Sequence, residues 1–291
     1  MTAFVKFALL CLVFWVAWPV ASAQAADAGI ATIIDGRVRL LHDTTWYKVV
    51  PGARVRQGDV LEVVDTAQVQ VELGAGGTFY LGGPGTLYAA SLPIAGDKPT
   101  GGIVLDVASG WLKLAAKATT GARLQFSGAL LDTTDAIVVV HVTPEASEFF
   151  MESGSAKVTP IDAGGKPGPA VDATAGEYRG RSGERAFRVE GHAPQPFVTA
   201  MPRPQRDPLP SLASRYKVAP TLVAEREITY AEAEPWLAGP YRRVFLKQFA
   251  PRLRDRDFRA GVEAHIARYP EWDRILHPEK YLPKPAAAET K

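Results

Sequence analysis

Five histidines (42, 141, 192, 265 and 277) and one cysteine, Cys11, are the residues of this chain best suited to metal or nucleophilic chemistry. No two of the histidines stand at the close spacing from which zinc sites are built, so no metal ligands are assigned. His141 ends an apolar run and reads as a satisfied core or edge residue. Ser214-Arg215-Tyr216-Lys217 has the S-x-x-K spacing of a nucleophile and its lysine, but it sits among prolines and lacks S-D-N and K-T-G partners. Glu145, Glu148 and Glu152 could bring two carboxylates together, as glycoside hydrolysis requires, although acidic residues on strand edges are commonplace. There is no G-x-S-x-G elbow, and the glycines between 74 and 85 follow neither phosphate-loop nor dinucleotide spacing. The residues therefore predict a chain that is not an enzyme, with no catalytic residue, no cofactor and no metal.

Basic and aromatic residues gather near the C-terminus. Arg242, Arg243, Lys247, Arg252, Arg254, Arg256, Arg259 and Arg268 are offset in part by Asp255, Asp257 and Glu263. With Trp236 and Trp272, four of these arginines (Arg242, Arg243, Arg252 and Arg256) form a candidate interaction surface for an envelope protein or glycan. The plainer reading, which we favour, is a solvated helix face with i,i+4 ion pairs and aromatic rings that staple short helices to their neighbour. A formal net charge of +2 implies no strong polyelectrolyte partner.

The first 25 residues carry one charge, Lys6, then an apolar run from Phe7 to Val20 broken by Pro19. Ala21-Ser22-Ala23 and Ala23-Gln24-Ala25 follow, so cleavage after Ala23 or Ala25 is expected of a secretory signal peptide. The alternative is an uncleaved anchor. A lipoprotein is disfavoured because Cys11 lies inside the apolar run behind Leu10. Export places the chain in the periplasm or outside the cell, away from nucleic acid. No other apolar stretch approaches spanning length, so no membrane span is expected after cleavage. The chain beyond residue 25 has no cysteine, so it must hold together by its core.

From residue 29 to 189 nearly every segment alternates like a short strand. Strands are expected at 30–34 and 37–41, joined by Asp35-Gly36 as a two-residue hairpin, and then at 46–50, 60–64 and 68–73. Glycines at 74–77 and 82–85 are expected to cut the following strands to a few residues each. Residues 111–115 and 123–126 alternate cleanly, with Lys113 and Gln125 pointing away from their leucines. Residues 136–142 are apolar almost throughout and read as a central strand buried on both faces. Strands at 148–152 and 155–160 surround Ser153-Gly154 as a turn.

The stretch from 191 to 225 is Pro-rich and reads as a linker, after which helical periodicity takes over. Tyr241, Val244, Phe245 and Phe249 form one apolar stripe, and Phe258, Val262, Ile266 and Tyr269 a second, entered through Asp255 or Asp257. A short helix over 270–276 would dock through Trp272 and Ile275. The expected organisation is a signal peptide (1–25), a β-domain (26–190), the linker (191–225), a helical C-terminal region (226–285) and a disordered tail (286–291).

The β-region resembles the FecR domain, an extracytoplasmic β-rich module. The likeness rests on weak matches in the right order: Ile33, Ile34 and Gly36 before Trp46; Gly52 through Gly58-Asp59-Val60-Leu61; and Gly77-Thr78-Phe79-Tyr80-Leu81. Gly110-Trp111-Leu112-Lys113-Leu114, Ser153-Gly154 and Ala175-Gly176-Glu177 continue the series. The family's Gly before its buried strand is missing, since Thr133-Thr134-Asp135 stands there. The resemblance implies a mainly β fold, stacked and β-helix-like or a sandwich, with a small α-helical C-terminal tail. Strict repeats are absent, so identical coils are not expected. FecR-type sigma regulators carry a cytoplasmic domain and a spanning helix before this module, whereas only Met1–Lys6 precedes the apolar run here, so no sigma factor contact is expected. What the resemblance implies is a periplasmic protein-interaction or sensing module; the alternatives are an envelope glycan or peptidoglycan binder and, behind it, a glycan-active enzyme. N-terminal sequencing of the exported protein should begin at Gln24 or Ala26; a chain retaining Met1 to Ala23 would establish the anchor instead.

Overall fold

The computed structural model describes residues 29–93 and 101–281; the cleavage sites at Ala23 and Ala25 and the tail 286–291 lie outside them. The fold is mainly β, with one mixed 15-stranded sheet followed by a few C-terminal helices. Its first strands are β1 (Gly29–Asp35), β2 (Val38–His42), β3 (Thr45–Lys48), β4 (Arg54–Val55), β5 (Val60–Val63) and β6 (Gln68–Glu72). The long strands follow: β7 (Gly77–Ser91), β8 (Ile103–Ala116), β10 (Ala129–Val142) and β11 (Ala146–Pro160), with the short β9 (Ala122–Phe126) beside β8. Three more, β12 (Val171–Thr174), β13 (Tyr178–Ser182) and β14 (Arg188–Glu190), finish the domain.

Three expectations are corrected. Asp35-Gly36 is a turn, with Gly36 at φ +78°, but not a hairpin. β1 pairs with β4 and β6, while β2 pairs with β3 and β5. The two-residue hairpin is the next one along, where Asp43-Thr44 joins His42 to Thr45 and Asp43 takes φ +52°. Second, the glycines at 82–85 do not end a strand. β7 runs through them, pairing with β6 over Thr78–Gly82 and with β5 over Gly85–Tyr88. A side chain at Gly110 of β8 would lie 2.5 Å from Gly85 Cα, so the two strands bend against each other where neither carries a Cβ. Third, Ser153-Gly154 lies within β11, where the register against β10 shifts, rather than at a turn.

Alternation sorts the side chains as predicted. Val69, Val71, Phe79, Leu81, Leu105, Leu112, Leu114, Val138 and Val140 enclose one core. The central strand is confirmed, because β10 pairs with both β8 and β11 and Val138, Val139 and Val140 are fully buried.

The opposite, outward faces are covered by the rest of the chain. Helices α1 (Gln195–Ala200) and α2 (Arg203–Arg206) lie in the Pro-rich stretch expected as a linker, and this stretch is a strap packed across the sheet. Phe197 and Met201 bury against Trp111, Val139 and Tyr178. Gln205 Nε2 donates to Trp111 O (3.0 Å), and Lys113 Nζ donates to the carbonyls of Gln205 (2.9 Å) and Asp207 (3.2 Å) and to Glu152 Oε1 (3.0 Å). Farther along, Glu72 accepts from Ser211 Oγ and Leu212 N, and Gln70 Nε2 donates to Pro210 O. Gln70 and Glu72 of β6 and Lys113 of β8 are thus buried with partners, which burial of polar groups requires. Residues 223–227 then form β15, paired with β3.

Helices α3 (Tyr230–Ala238), α4 (Arg242–Phe249), α5 (Arg256–Ala264) and α6 (Pro270–Leu276) cover another outward patch, formed by Leu41, Trp46, Val60 and Tyr88. Asp255 caps α5, accepting from Phe258 N. α3 was not foreseen, although Thr229-x-x-Glu232 is a capping box that the structure uses in full. Arg226 and Thr229 hold the Glu232 carboxyl down at about 2, against the upward push of burial. Replacing the buried Lys113 with Met should lower unfolding free energy by about 2–3 kcal/mol, because Glu152 loses its cation and two strap carbonyls lose their donor. Denaturant melts check the loss, and faster protease cleavage within residues 193–212 checks that the strap has loosened.

Candidate functional site

A cavity of about 840 Å³ opens where the β-domain meets the helices. The turn after β2 and the turn before β5 form one side, and α4 and α6 the other. Gln248 Nε2 donates to Asp43 O (2.8 Å) and ties α4 to the first of these turns.

On the β side, Asp59 is almost fully buried, and its carboxylate accepts from Arg56 N (2.7 Å) across the turn. The structure adds His42, whose Nδ1 lies 2.7 Å from Asp59 Oδ1, with Arg56 Nη1 3.4 Å from the other ring nitrogen. The bond to Asp59 raises the pKa of His42 despite the opposing effect of burial. On Asp59 burial acts the other way and pushes its pKa up, against the downward pull of His42 and the Arg56 backbone. Such a pair orients an imidazole and can hold a proton. Among the described residues no serine, threonine, cysteine or tyrosine lines the cleft, so none of them supplies a hydroxyl or thiol to the ring.

On the helical side, the cleft shows the apolar side chains Val244 and Ile275, 44% and 62% exposed. Both were expected to pack inward. They face out because Phe245, Leu246 and Phe249 turn α4 toward Tyr88 and Trp46, and α6 docks through Trp272 and Leu276. Arg243 and Lys247 also line it; among the described residues neither makes a hydrogen bond or close ion pair, while the Arg243 charge helps to lower the pKa of Glu271 on the same wall.

The structure does not assemble the candidate surface of four arginines and two tryptophans. Trp272 is 1% exposed and donates to Leu246 O, so it is core. Trp236 packs on Tyr88 and Phe245. Arg242 is bonded to Arg268 O and Glu271, and Arg252 to Ile228 O. Arg256 is fully exposed beside Asp257, and of the four arginines Arg243 lines the cleft. The favoured solvated-face reading fits Arg259–Glu263, an i,i+4 pair at 2.8 Å.

Of the other candidates, His141 is satisfied as expected: it stacks on Trp111, with centroids 3.9 Å apart, and bonds Glu148. Glu148 also accepts from the Tyr178 hydroxyl, and these bonds hold its carboxyl below the usual range despite burial. Glu152 pairs with Lys113 and Glu145 is exposed. Glu148 and Glu152 are about 13 Å apart along β11 by strand rise, beyond the reach of a glycosidase pair. Ser214 and Lys217 are both exposed and not bonded to each other. Among the described residues no three His, Cys, Asp or Glu converge as metal ligands.

No family model and no curated protein matches the chain. Two solved structures of a "putative anti-sigma factor" from Parabacteroides distasonis ATCC 8503 are similar at TM-score 0.39, with 11% and 10% identity. The match covers 48% of this chain and 62% of theirs, so this chain spans less than two thirds of their length. A likeness of that size bears on neither family membership nor activity.

His42 should titrate above its ordinary value by NMR and fall back in Asp59→Asn. Both groups of the pair have raised values in the fold, so the folded state holds protons more tightly than the unfolded chain. Their contribution to stability is therefore full at low pH and is lost as pH rises through the His42 value. An unchanged His42 titration in Asp59→Asn would show that the pair is not coupled.

Proposed function

We propose that this chain is an exported, non-enzymatic FecR-like module of the bacterial envelope that binds a segment of another envelope protein in the cleft between sheet and helices. The observation that carries this reading is the cleft wall. Val244 and Ile275 stand exposed in a cleft that Arg243 and Lys247 also line; among the described residues neither cation makes a hydrogen bond or close ion pair, and the Arg243 charge acts at longer range on Glu271 of the same cleft. A segment with apolar side chains and nearby carboxylates complements that wall in shape and charge. A glycan would ask for an exposed ring face, and the cleft's tryptophan is buried.

The export pattern of the first 25 residues supports the location, and among the described residues no helix is long and apolar enough to cross a membrane. A His–Asp pair with no hydroxyl or thiol beside it among the described residues supports binding over catalysis. The reading includes no cofactor and no nucleic acid.

Val244→Glu and Ile275→Glu should each leave the melting temperature nearly unchanged, because both side chains are exposed. Each should also reduce capture of one defined envelope protein by about tenfold, the worth of one buried aliphatic contact. A photo-crosslinker placed at position 275 should join that same protein. Equal capture by both variants, or retention on purified peptidoglycan with no protein crosslinked, would overturn the reading.

A further inference from the structure

A second cavity, about 370 Å³, lies under the loop joining α3 to α4. Its floor is the outward face of β8 and β9, where Asp106 is registered against Gln125, and Tyr88 of β7 is registered against Asp106 on the other side. Trp236 and Tyr241 wall it from the loop side. The Tyr88 ring braces both, with centroids 6.1 Å and 4.9 Å away.

Asp106 is 9% exposed and lines this cavity. Among the described residues no donor is hydrogen-bonded to its carboxylate and no cation pairs with it. Its neighbours are already committed. The Tyr241 hydroxyl donates to Gln125 Oε1 (3.3 Å), and Arg123 on the same face of β9 is held in a fork by Asp132 (2.6 and 3.1 Å). Every other buried charge on this outward face has a partner: Lys113 has Glu152, Arg39 has Glu62 and Asp59 has His42.

A carboxylate taken from water without a partner is costly, and the cost is relieved when a cation arrives. Flanking indole and phenol rings add the attraction of their π faces for positive charge. One carboxylate among rings offers too few oxygens for a calcium or magnesium ion, which needs six or more counting water. An organic cation matches both features of the site at once.

We propose that this cavity binds an organic ammonium group, with the positive head against Asp106 and its flanks on Trp236 and Tyr241. This site is separate from the protein-binding cleft and does not rest on it. Burial also pushes Asp106 up to about 7, so the ionised form that holds a cation dominates only above neutrality. The other titratable groups facing it, Tyr88 and Tyr241, are raised by burial and stay neutral, and Arg123 keeps its charge beside Asp132. Affinity for a permanently charged ligand should therefore rise between pH 6 and pH 8.

Calorimetric titration of the intact protein at pH 8 tests this with two ammonium probes: choline, a free quaternary ion, and N-acetyl-lysine methylamide, a stand-in for a protein's lysine. The neutral isostere 3,3-dimethylbutan-1-ol serves as the control. At least one ammonium probe should bind about tenfold more tightly than the neutral alcohol, and which one does so identifies the source. Asp106→Asn should erase that preference while the melting temperature holds or rises, since a buried charge is removed. Tyr241→Leu should weaken the ammonium probe without affecting its neutral isostere. Equal affinity for charged and neutral probes, no binding of either ammonium at millimolar concentration, or an undiminished preference in Asp106→Asn would each overturn the proposal.

Discussion

The paired bend of β7 and β8 at Gly82–Gly85 and Gly110 is the constraint on which the rest of this molecule depends. β7 must complete two different sets of strands, β6 with its first half and β5 with its second. It can do so as one continuous strand only if its backbone approaches β8 more closely than any side chain permits. The bend wraps the sheet around one apolar core. It also divides the outward face into two patches, one bearing Tyr80, Trp111 and Lys113, the other Tyr88 and Asp106.

Each outward patch is too apolar and too rich in polar groups without water to be left bare, and the C-terminal third of the chain covers both. The strap from Phe197 to Tyr216 supplies backbone carbonyls, amides and side chains to Lys113, Glu72, Gln70 and Thr32. The helices supply rings to Tyr88 and Trp46. The helical region is therefore part of the same folded body as the sheet, joined to it by buried aromatic packing and by β15. Both cavities lie at seams between sheet and cover, where α4 and α6 meet the first β turns and where the α3–α4 loop crosses β8. The buried acids that line those seams, Asp59 and Asp106, differ in one respect that matters chemically, since only Asp59 has a partner from the protein.

Much of this was legible in the residues. Period-two alternation assigned Val69, Val71, Leu112 and Leu114 to the core, and the apolar run at 136–142 marked a central strand. Asp255 and Pro270 marked helix starts. The glycines were misread because a Gly that permits a turn and a Gly that permits close strand approach look the same in one dimension. Thr229 and Glu232 announced α3, but Pro235 within it obscured the periodicity. His42 and Asp59 are 17 residues apart and have no local pattern that would link them. Of the two readings of Trp272 the favoured one, docking, holds, whereas Val244 and Ile275, expected to pack inward, stand exposed. A helical stripe tells which residues share a face but not which part of that face the neighbour covers.

What the sequence by itself determined was the inward and outward assignment along each strand, because alternation follows from the pleat of a single strand and requires no partner. What only the tertiary structure decided was the fate of the outward residues. Lys113 and Gln125 point away from the leucines as their positions demand, yet Lys113 is buried beneath the strap and Asp106 lies in a cavity beneath the helices. Those environments are created by segments more than ninety residues farther along the chain, as the 92-residue separation of Lys113 and Gln205 shows. Burial, charge pairing and ligand capacity depend on that distant cover, and local residue pattern carries no record of it.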